Sequence, residues 1–270
     1  MHAAVSAYYD HHPMTAEQIL GAVRSGGHDL AALRPEDLFA HDQDHYGGTS
    51  AVDRLAERCD LDGSSHVLDV CSGLGGPARY LAARYGCRVA GVDLTLSRCA
   101  GARRLTELVG LADRVAFARA DAVRLPFGDG AFDACVSQEA FLHVEDKAAL
   151  LAEARRVLRP GGRLAFTDWV ARPPLTPADR ERLVGEHAAT GVVGADEYVL
   201  ALAASGLDLL SVEDLSAEWA MILDARLAMY RRISADGPMD FVERYAFLVG
   251  LVRDGRIGGS RFVAQRPEDR

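Results

Sequence analysis

Val67-Leu68-Asp69-Val70-Cys71-Ser72-Gly73-Leu74-Gly75-Gly76 is the stretch on which the fold turns. A short apolar strand runs into a turn holding three glycines, and a helical pattern through Ala78, Leu81 and Ala82 follows. Glycine permits a tight turn and lets backbone N–H groups come close to a ligand. Strand, glycine turn and helix in this order open a βαβ unit.

Moving outward, the alternation continues. His66–Val70, Arg88–Val92, Val115–Ala118, Phe132–Ser137 and Arg163–Thr167 read as strands one to five. Ser97–Val109 reads as a helix. Lys147–Leu158 carries Leu150, Leu151, Ala154, Val157 and Leu158 on one stripe, and Pro160-Gly161-Gly162 stops it. Beyond Asp168 the pattern turns helical. Thr176-Pro177-Ala178-Asp179 has the hydroxyl cap, early proline and early acid of a helix start. Asp196–Ala204, Glu218–Ile233 and Asp240–Val252 read as further helices, and Leu207–Val212 and Ser260–Gln265 as the last two strands. The fold class is α/β, a Rossmann-like doubly wound seven-stranded sheet, mainly parallel, with its ligand crevice at the strands' C-terminal ends. Residues 1–60 are expected as a mobile N-terminal helical arm or lid, and 61–170 as the core. Residues 171–270 are expected to cover the substrate, with a helical lid insertion after strand five. Before the core, His41-Asp42-Gln43-Asp44-His45-Tyr46-Gly47-Gly48 is polar and ends in two glycines, which permit close backbone approach.

Composition narrows the function. Of 270 residues, 49 % are apolar and 26 % charged, ordinary for a chain with a real core. The formal charge of −9 argues against nucleic acid, which needs a basic footprint. There is no run of eighteen apolar residues and no basic-then-apolar leader pattern near Met1, so the expectation is a cytoplasmic protein without a membrane partner. The five cysteines show no CxxC spacing and read as buried small residues. Nine histidines show no HExxH pattern, so no metal is expected.

The glycine turn alone does not separate ligand classes. The acids around it do. Asp69 precedes the turn at the strand end, where the pyrophosphate of a dinucleotide would meet a like charge. Asp93, twenty positions after Gly73, closes strand two and can accept from both hydroxyls of a ribose. Asp121, followed by Ala122, ends strand three, where an acid can accept from an adenine amino group. Three acids in register with the turn suit an adenosine compound that lacks phosphate and carries a cationic end. S-adenosylmethionine (SAM) meets that description.

At this point the chain resembles the class I SAM-dependent methyltransferases. The likeness runs from about residue 36 to 170. It is carried by Val67-Leu68-Asp69-Val70, Gly91-Val92-Asp93, Asp121-Ala122, Leu125-Pro126-Phe127, Phe132-Asp133 and Arg156-Val157-Leu158-Arg159-Pro160-Gly161-Gly162. Gly75-Gly76-Pro77-Ala78-Arg79-Tyr80-Leu81-Ala82 and Ser137-Gln138-Glu139-Ala140-Phe141-Leu142-His143 are similar to sarcosine/dimethylglycine N-methyltransferases, and phosphoethanolamine methyltransferases share much of this. The resemblance implies SAM across the C-terminal edge of the sheet. Tyr46, Asp69, Ser72, Gly73, Gly75, Asp93, Leu94, Asp121, Ala122 and Gln138 are the expected cofactor residues, with His143 and Glu139 facing the substrate. One departure is Cys71, where the family usually has glycine.

Methyl transfer is an in-line displacement that needs alignment, exclusion of water and a free lone pair on the acceptor. His143 can serve as the base, or it can be a core histidine bonded to backbone. Glu139 can hold a cationic substrate. Tyr8, Tyr9, Trp169, Tyr198, Trp219, Tyr230 and Tyr245 can wall an ammonium, although most are expected in the core. The leading reading is N-methylation of a small amine or amino acid. The runner-up is an O-, C- or S-methyltransferase of a secondary metabolite. A SAM-binding module without catalysis and a nicotinamide oxidoreductase are remote alternatives. The expected partners are a small-molecule substrate and a second copy in a homodimer.

Overall fold

β1 (His66–Val70) leaves its first residue exposed and buries the next four, as a strand covered on both faces requires. The computed structural model describes residues 2–173, 175–233 and 239–268. β1 pairs in parallel with β2 (Arg88–Asp93) on one side and β4 (Phe132–Gln138) on the other. β3 (Val115–Arg119) lies outside β2, and β5 (Leu158–Ala171) outside β4, both parallel. β8 (Ile257–Gln265) is antiparallel to both β5 and β7 (Asp208–Asp214), so the order is β3-β2-β1-β4-β5-β8-β7. The seven expected strands are all present. An eighth, β6 (Val193–Gly194), pairs with the end of β5. Two residues carry no periodicity, which is why the sequence does not announce it.

Alternate residues of β1 feed opposite cores, because successive side chains on a strand point to opposite faces. Val67 packs with α2 (Ala16–Ser25), α3 (Gly48–Arg58), α4 (Gly76–Tyr85) and α5 (Leu96–Leu108). Leu68 packs with α6 (Lys147–Val157) and α8 (Ala195–Ala204). A third cluster joins α7 (Pro177–His187), α9 (Ser216–Ile233) and α10 (Met239–Arg253) to Tyr46, Leu142 and Trp169. These last three helices roof the C-terminal ends of the strands, and α1 (His2–Asp10) packs on α5. α7 starts as expected: Thr176 accepts from the Asp179 N–H, Asp179 accepts in return, and Pro177 stands in the first turn. No helix among the described residues is long and apolar enough to cross a membrane.

Most boundaries shift by one to three residues, and the largest difference is at the start of β5. β5 begins at Leu158, five residues before Arg163, and Pro160-Gly161-Gly162 lies inside the strand. A register shift against β4 between Phe132 and Ala134 absorbs the irregularity, and Gly161 takes φ 76° while its N–H donates to the Arg266 carbonyl. The strand order reverses between β1 and β4, and that reversal opens a crevice at their C-terminal ends.

Candidate active site

A cavity of about 290 Å³ occupies that crevice. Nine of the ten expected cofactor residues line it, and so do His143 and Glu139. Gly75 does not. It takes φ 76°, and a Cβ there would stand 2.3 Å from the Phe117 ring, so its bareness lets the turn pack against β3.

The turn is held from beneath. The Ser72 N–H donates to the Val92 carbonyl (2.8 Å) and the Gly75 N–H to the Ser72 carbonyl (2.8 Å). Cys71 and Gly73 both lie in the left-handed region, at φ 61° and 54°. For a residue with a Cβ this conformation costs about 1–2 kcal/mol, so Cys71 holds its place in the turn at a strain cost. The Asp93 carboxylate accepts from the Gly73 N–H (2.9 Å) and the Thr95 N–H (2.8 Å), tying the tip of β2 to the turn. Burial raises its pKa, against these N–H bonds, which lower it.

Asp69 is 3 % exposed, and its Oδ2 has no hydrogen-bond partner among the described residues. Burial pushes its pKa up to about 7; the nearby Asp93 charge adds to the rise and Arg79 opposes it. Ser72 Oγ and Gln138 Oε1 are likewise buried without a partner. Buried polar atoms rarely stay unsatisfied. Three such atoms around one cavity fit a ligand with an ammonium and two ribose hydroxyls, as SAM has.

Residues 42–48 form a strap across the opening. Asp42 and Arg79, both fully buried, make an ion pair of 2.9 Å. Arg79 also donates to the Ala102 carbonyl and Thr106 Oγ1. A Cβ at Gly76 would stand 2.0 Å from the Asp42 carbonyl oxygen, so that glycine is what lets the strap lie against α4. Arg226 on α9 donates to the carbonyls of Asp44 and His45. Gln138 Nε2 lies 2.9 Å from His45 Nδ1, and the Tyr46 ring meets Trp219 edge-on. The Tyr46 N–H donates to Glu139 (2.6 Å), whose other oxygen accepts from the Thr167 hydroxyl (2.6 Å). Burial pushes Glu139 up to about 8 despite these two donors.

His143 Nδ1 is 3.0 Å from the Ala188 carbonyl, and Nε2 is 2.8 Å from the Tyr9 hydroxyl. A carbonyl only accepts, so Nδ1 carries the proton and Nε2 receives the Tyr9 O–H. His143 is therefore bonded to backbone and at the cavity wall at once. Burial lowers its pKa to about 4. Tyr8, Tyr9, Trp169, Tyr230 and Tyr245 line the cavity, whereas Tyr198 and Trp219 lie in the core. No local spacing in the sequence pairs Asp42 with Arg79, Tyr9 with His143, or Arg226 with the strap. Arg79 could have been flagged, since it is a charge beside Ala78, Leu81 and Ala82 on a helix that packs on the sheet.

An open, mainly parallel sheet, a glycine turn after its first strand and acids at or just past the C-terminal ends of three successive strands match the class I methyltransferase architecture. Comparison with known proteins agrees: residues 68–166 match the family model for the methyltransferase domain. It is 37 % identical over 172 residues to 27-O-demethylrifamycin SV methyltransferase of Amycolatopsis mediterranei, covering 62 % of this chain and 63 % of that one. It is 36 % identical over 150 residues to sarcosine/dimethylglycine N-methyltransferase of Halorhodospira halochloris, covering 54 % and 52 %. The chain thus spans less than two thirds of the length of these curated relatives. Among solved structures, geranyl diphosphate C-methyltransferase from Streptomyces coelicolor A3(2) shares the fold with a TM-score of 0.76 at 20 % identity, covering 98 % of this chain and 97 % of that one.

Proposed function

We propose that this chain transfers a methyl group from SAM to a small-molecule acceptor whose proton leaves through Tyr9 and His143. The observation that carries the reading is one cavity holding both the unpartnered Asp69 oxygen and the Tyr9–His143–Ala188 chain. When bound, SAM supplies an electrophilic methyl on a sulfonium. The protein does the rest. In this reading Asp69 and Gln138 would hold the methionine end, Asp93 the ribose hydroxyls, and Asp121 with Ala122 the adenine; all five line the cavity. The lowered pKa of His143 keeps its ring neutral near pH 7, so the Nε2 lone pair receives the Tyr9 O–H and can take its proton, as a weak base. An acceptor bonded to the Tyr9 oxygen can pass its proton there while Tyr9 passes its own to Nε2. The strap and the aromatic side chains exclude water.

The resemblance favours an amine or amino acid acceptor. One observation favours a hydroxyl: both oxygens of Glu139 are engaged by Tyr46 and Thr167, and burial holds it protonated near pH 7, so it does not offer an ammonium a free anion. We also propose a homodimer that pairs along β7. Calorimetry with SAM, followed by a screen of amine and phenol acceptors, tests the activity. SAM binding should weaken tenfold or more in Asp93→Ala (about 1.4 kcal/mol or above). Tyr9→Phe should keep SAM affinity and lose turnover. SAM binding indifferent to Asp93, or absent, ends the methyltransferase reading.

A further inference from the structure

A chain of hydrogen bonds runs from the buried end of the strap into the cavity, and its direction is fixed at one end. Asp42 Oδ2 accepts from Arg79 Nε and Nη2, and Asp42 Oδ1 accepts from the Gln43 amide nitrogen (2.7 Å). A carboxylate held by a guanidinium offers acceptors only, so Gln43 turns its NH2 to Asp42 and its oxygen away. That oxygen lies 2.8 Å from His45 Nε2, which therefore carries a proton. Burial lowers the pKa of His45 to about 4, so near neutral pH the ring holds one proton and Nδ1 keeps a lone pair. The Gln138 amide lies 2.9 Å from Nδ1 and must give it an N–H. Its oxygen is then at the other end, buried at the cavity and without a hydrogen-bond partner among the described residues.

The opposite order fails at Asp42. With its proton on Nδ1, His45 could donate to the Tyr46 carbonyl, 3.2 Å away, and both amides would turn round. Gln43 would then set its oxygen against the buried Asp42 carboxylate, acceptor against acceptor, and forfeit a charge-assisted hydrogen bond. The ion pair with Arg79 thus decides the polarity of every link up to Gln138. The sheet supplies a companion acceptor. Asp69 is in register with Val136, and Gln138 stands two residues beyond Val136, so Asp69 and Gln138 rise from the same face. Each holds an unpartnered oxygen at the cavity.

We propose that the Asp42–Arg79 pair, acting through Gln43 and His45, turns the Gln138 oxygen toward the cavity as a second acceptor, beside Asp69, for an ammonium. His45 is then a positioning residue, which acts on the ligand through Gln138. The inference rests on the methyl-transfer reading above for the identity of that ammonium, the amino group at the methionine end of SAM.

Spectroscopy and binding test this on the full chain, and neither needs turnover. Long-range proton–nitrogen NMR spectra of the ligand-free protein carrying nitrogen-15 histidine should show His45 as the Nε2–H tautomer. Gln43→Met should move that proton to Nδ1, where the Tyr46 carbonyl can receive it. Calorimetry then compares S-adenosylhomocysteine with methylthioadenosine, which lacks the amino-acid end. His45→Met should weaken S-adenosylhomocysteine by about tenfold or more, the size of one hydrogen bond to a charged group, and leave methylthioadenosine unchanged. His45→Gln, whose amide has a donor end and an acceptor end as neutral imidazole does, should bring affinity back to within about threefold of wild type. A side chain that merely packed in the strap would not separate the two variants in this way. Gln43→Met should act like His45→Met and takes its place should that variant fail to fold. An Nδ1–H tautomer in the wild type, equal losses in His45→Met and His45→Gln, or an equal loss of both ligands overturns the proposal. An Nε2–H tautomer that moves in Gln43→Met, in a protein that binds no S-adenosylhomocysteine, supports the relay and defeats the methyl-transfer reading, so the two failures are distinct.

Discussion

Cys71 and Asp69 show what single positions decide. The left-handed backbone at Cys71 suits glycine better than any residue with a Cβ. Cys71→Ala keeps the strain and loses the thiol, whereas Cys71→Gly relieves the strain. Urea denaturation should find the glycine variant more stable than the alanine variant by about 1 kcal/mol. Asp69 carries the pH dependence. With its pKa near 7 in the ligand-free protein, it is largely protonated at pH 6. The SAM ammonium favours the carboxylate, so SAM affinity should rise with pH through about 7 and level off above it. Calorimetry from pH 5.5 to 8 checks this, and Asp69→Asn should flatten the profile. Stability runs the other way. Asp69 and Glu139 (about 8) bind protons more tightly folded than unfolded, so their contribution is lost as pH rises through 7 and 8. His45, His143 and His187, lowered to about 4, lose their contribution only as pH falls below about 6.5. Without ligand, the melting temperature should therefore fall between pH 6.5 and 8, less so in Asp69→Asn. Asp69, Asp93 and Asp121 were legible because each lies at or just past the C-terminal end of an apolar strand, a pattern that local sequence contains. The Tyr9–His143 bond was not, since 134 positions separate the partners and no local spacing encodes their meeting.

At the scale of elements, the strap is the part of the site held from the most directions. Its bonds run to α4, to the end of β4 and to α9. The Asp42–Arg79 pair is its deepest anchor. Removing one partner strands a buried charge, a loss of about 3–5 kcal/mol, whereas replacing both with apolar residues of similar volume is often neutral. Arg79→Met should thus destabilise the chain strongly in urea, and adding Asp42→Leu should restore most of the loss. SAM should slow hydrogen exchange across residues 36–48, and the Arg79→Met variant should lose much of that protection. The glycines Gly47 and Gly48 made the strap visible in the sequence as a polar segment fit for close approach. Its anchors were invisible, because they lie on helices that reach it only through the fold.

Across the whole molecule, the alternation of apolar strands and striped helices was enough to read the seven main strands and the crevice. The order of the last strands was not readable, since antiparallel insertion of β8 between β5 and β7 depends on which edge is free when the chain returns. β7 forms the outer edge there, and Leu209, Leu210 and Val212 on it are exposed. An apolar edge strand is a ready template for pairing with another chain. Sedimentation equilibrium should show a dimer for the wild type and a monomer for Leu210→Lys.

The position of β8 has a consequence for how the molecule is made. Among the described residues β7 has no sheet neighbour other than β8, and β8 is the later of the two to be synthesised. Until Ile257–Gln265 has left the ribosome, the nascent chain carries an orphaned strand with exposed leucines, while β1–β5 can already assemble. A product stopped at Gly255 would keep the glycine turn and its three acids but would lack the strand against which β7 and α9 pack, and with it the support of Arg226 on the strap. Chaperone dependence should therefore last until β8 has emerged and paired with β5 and β7.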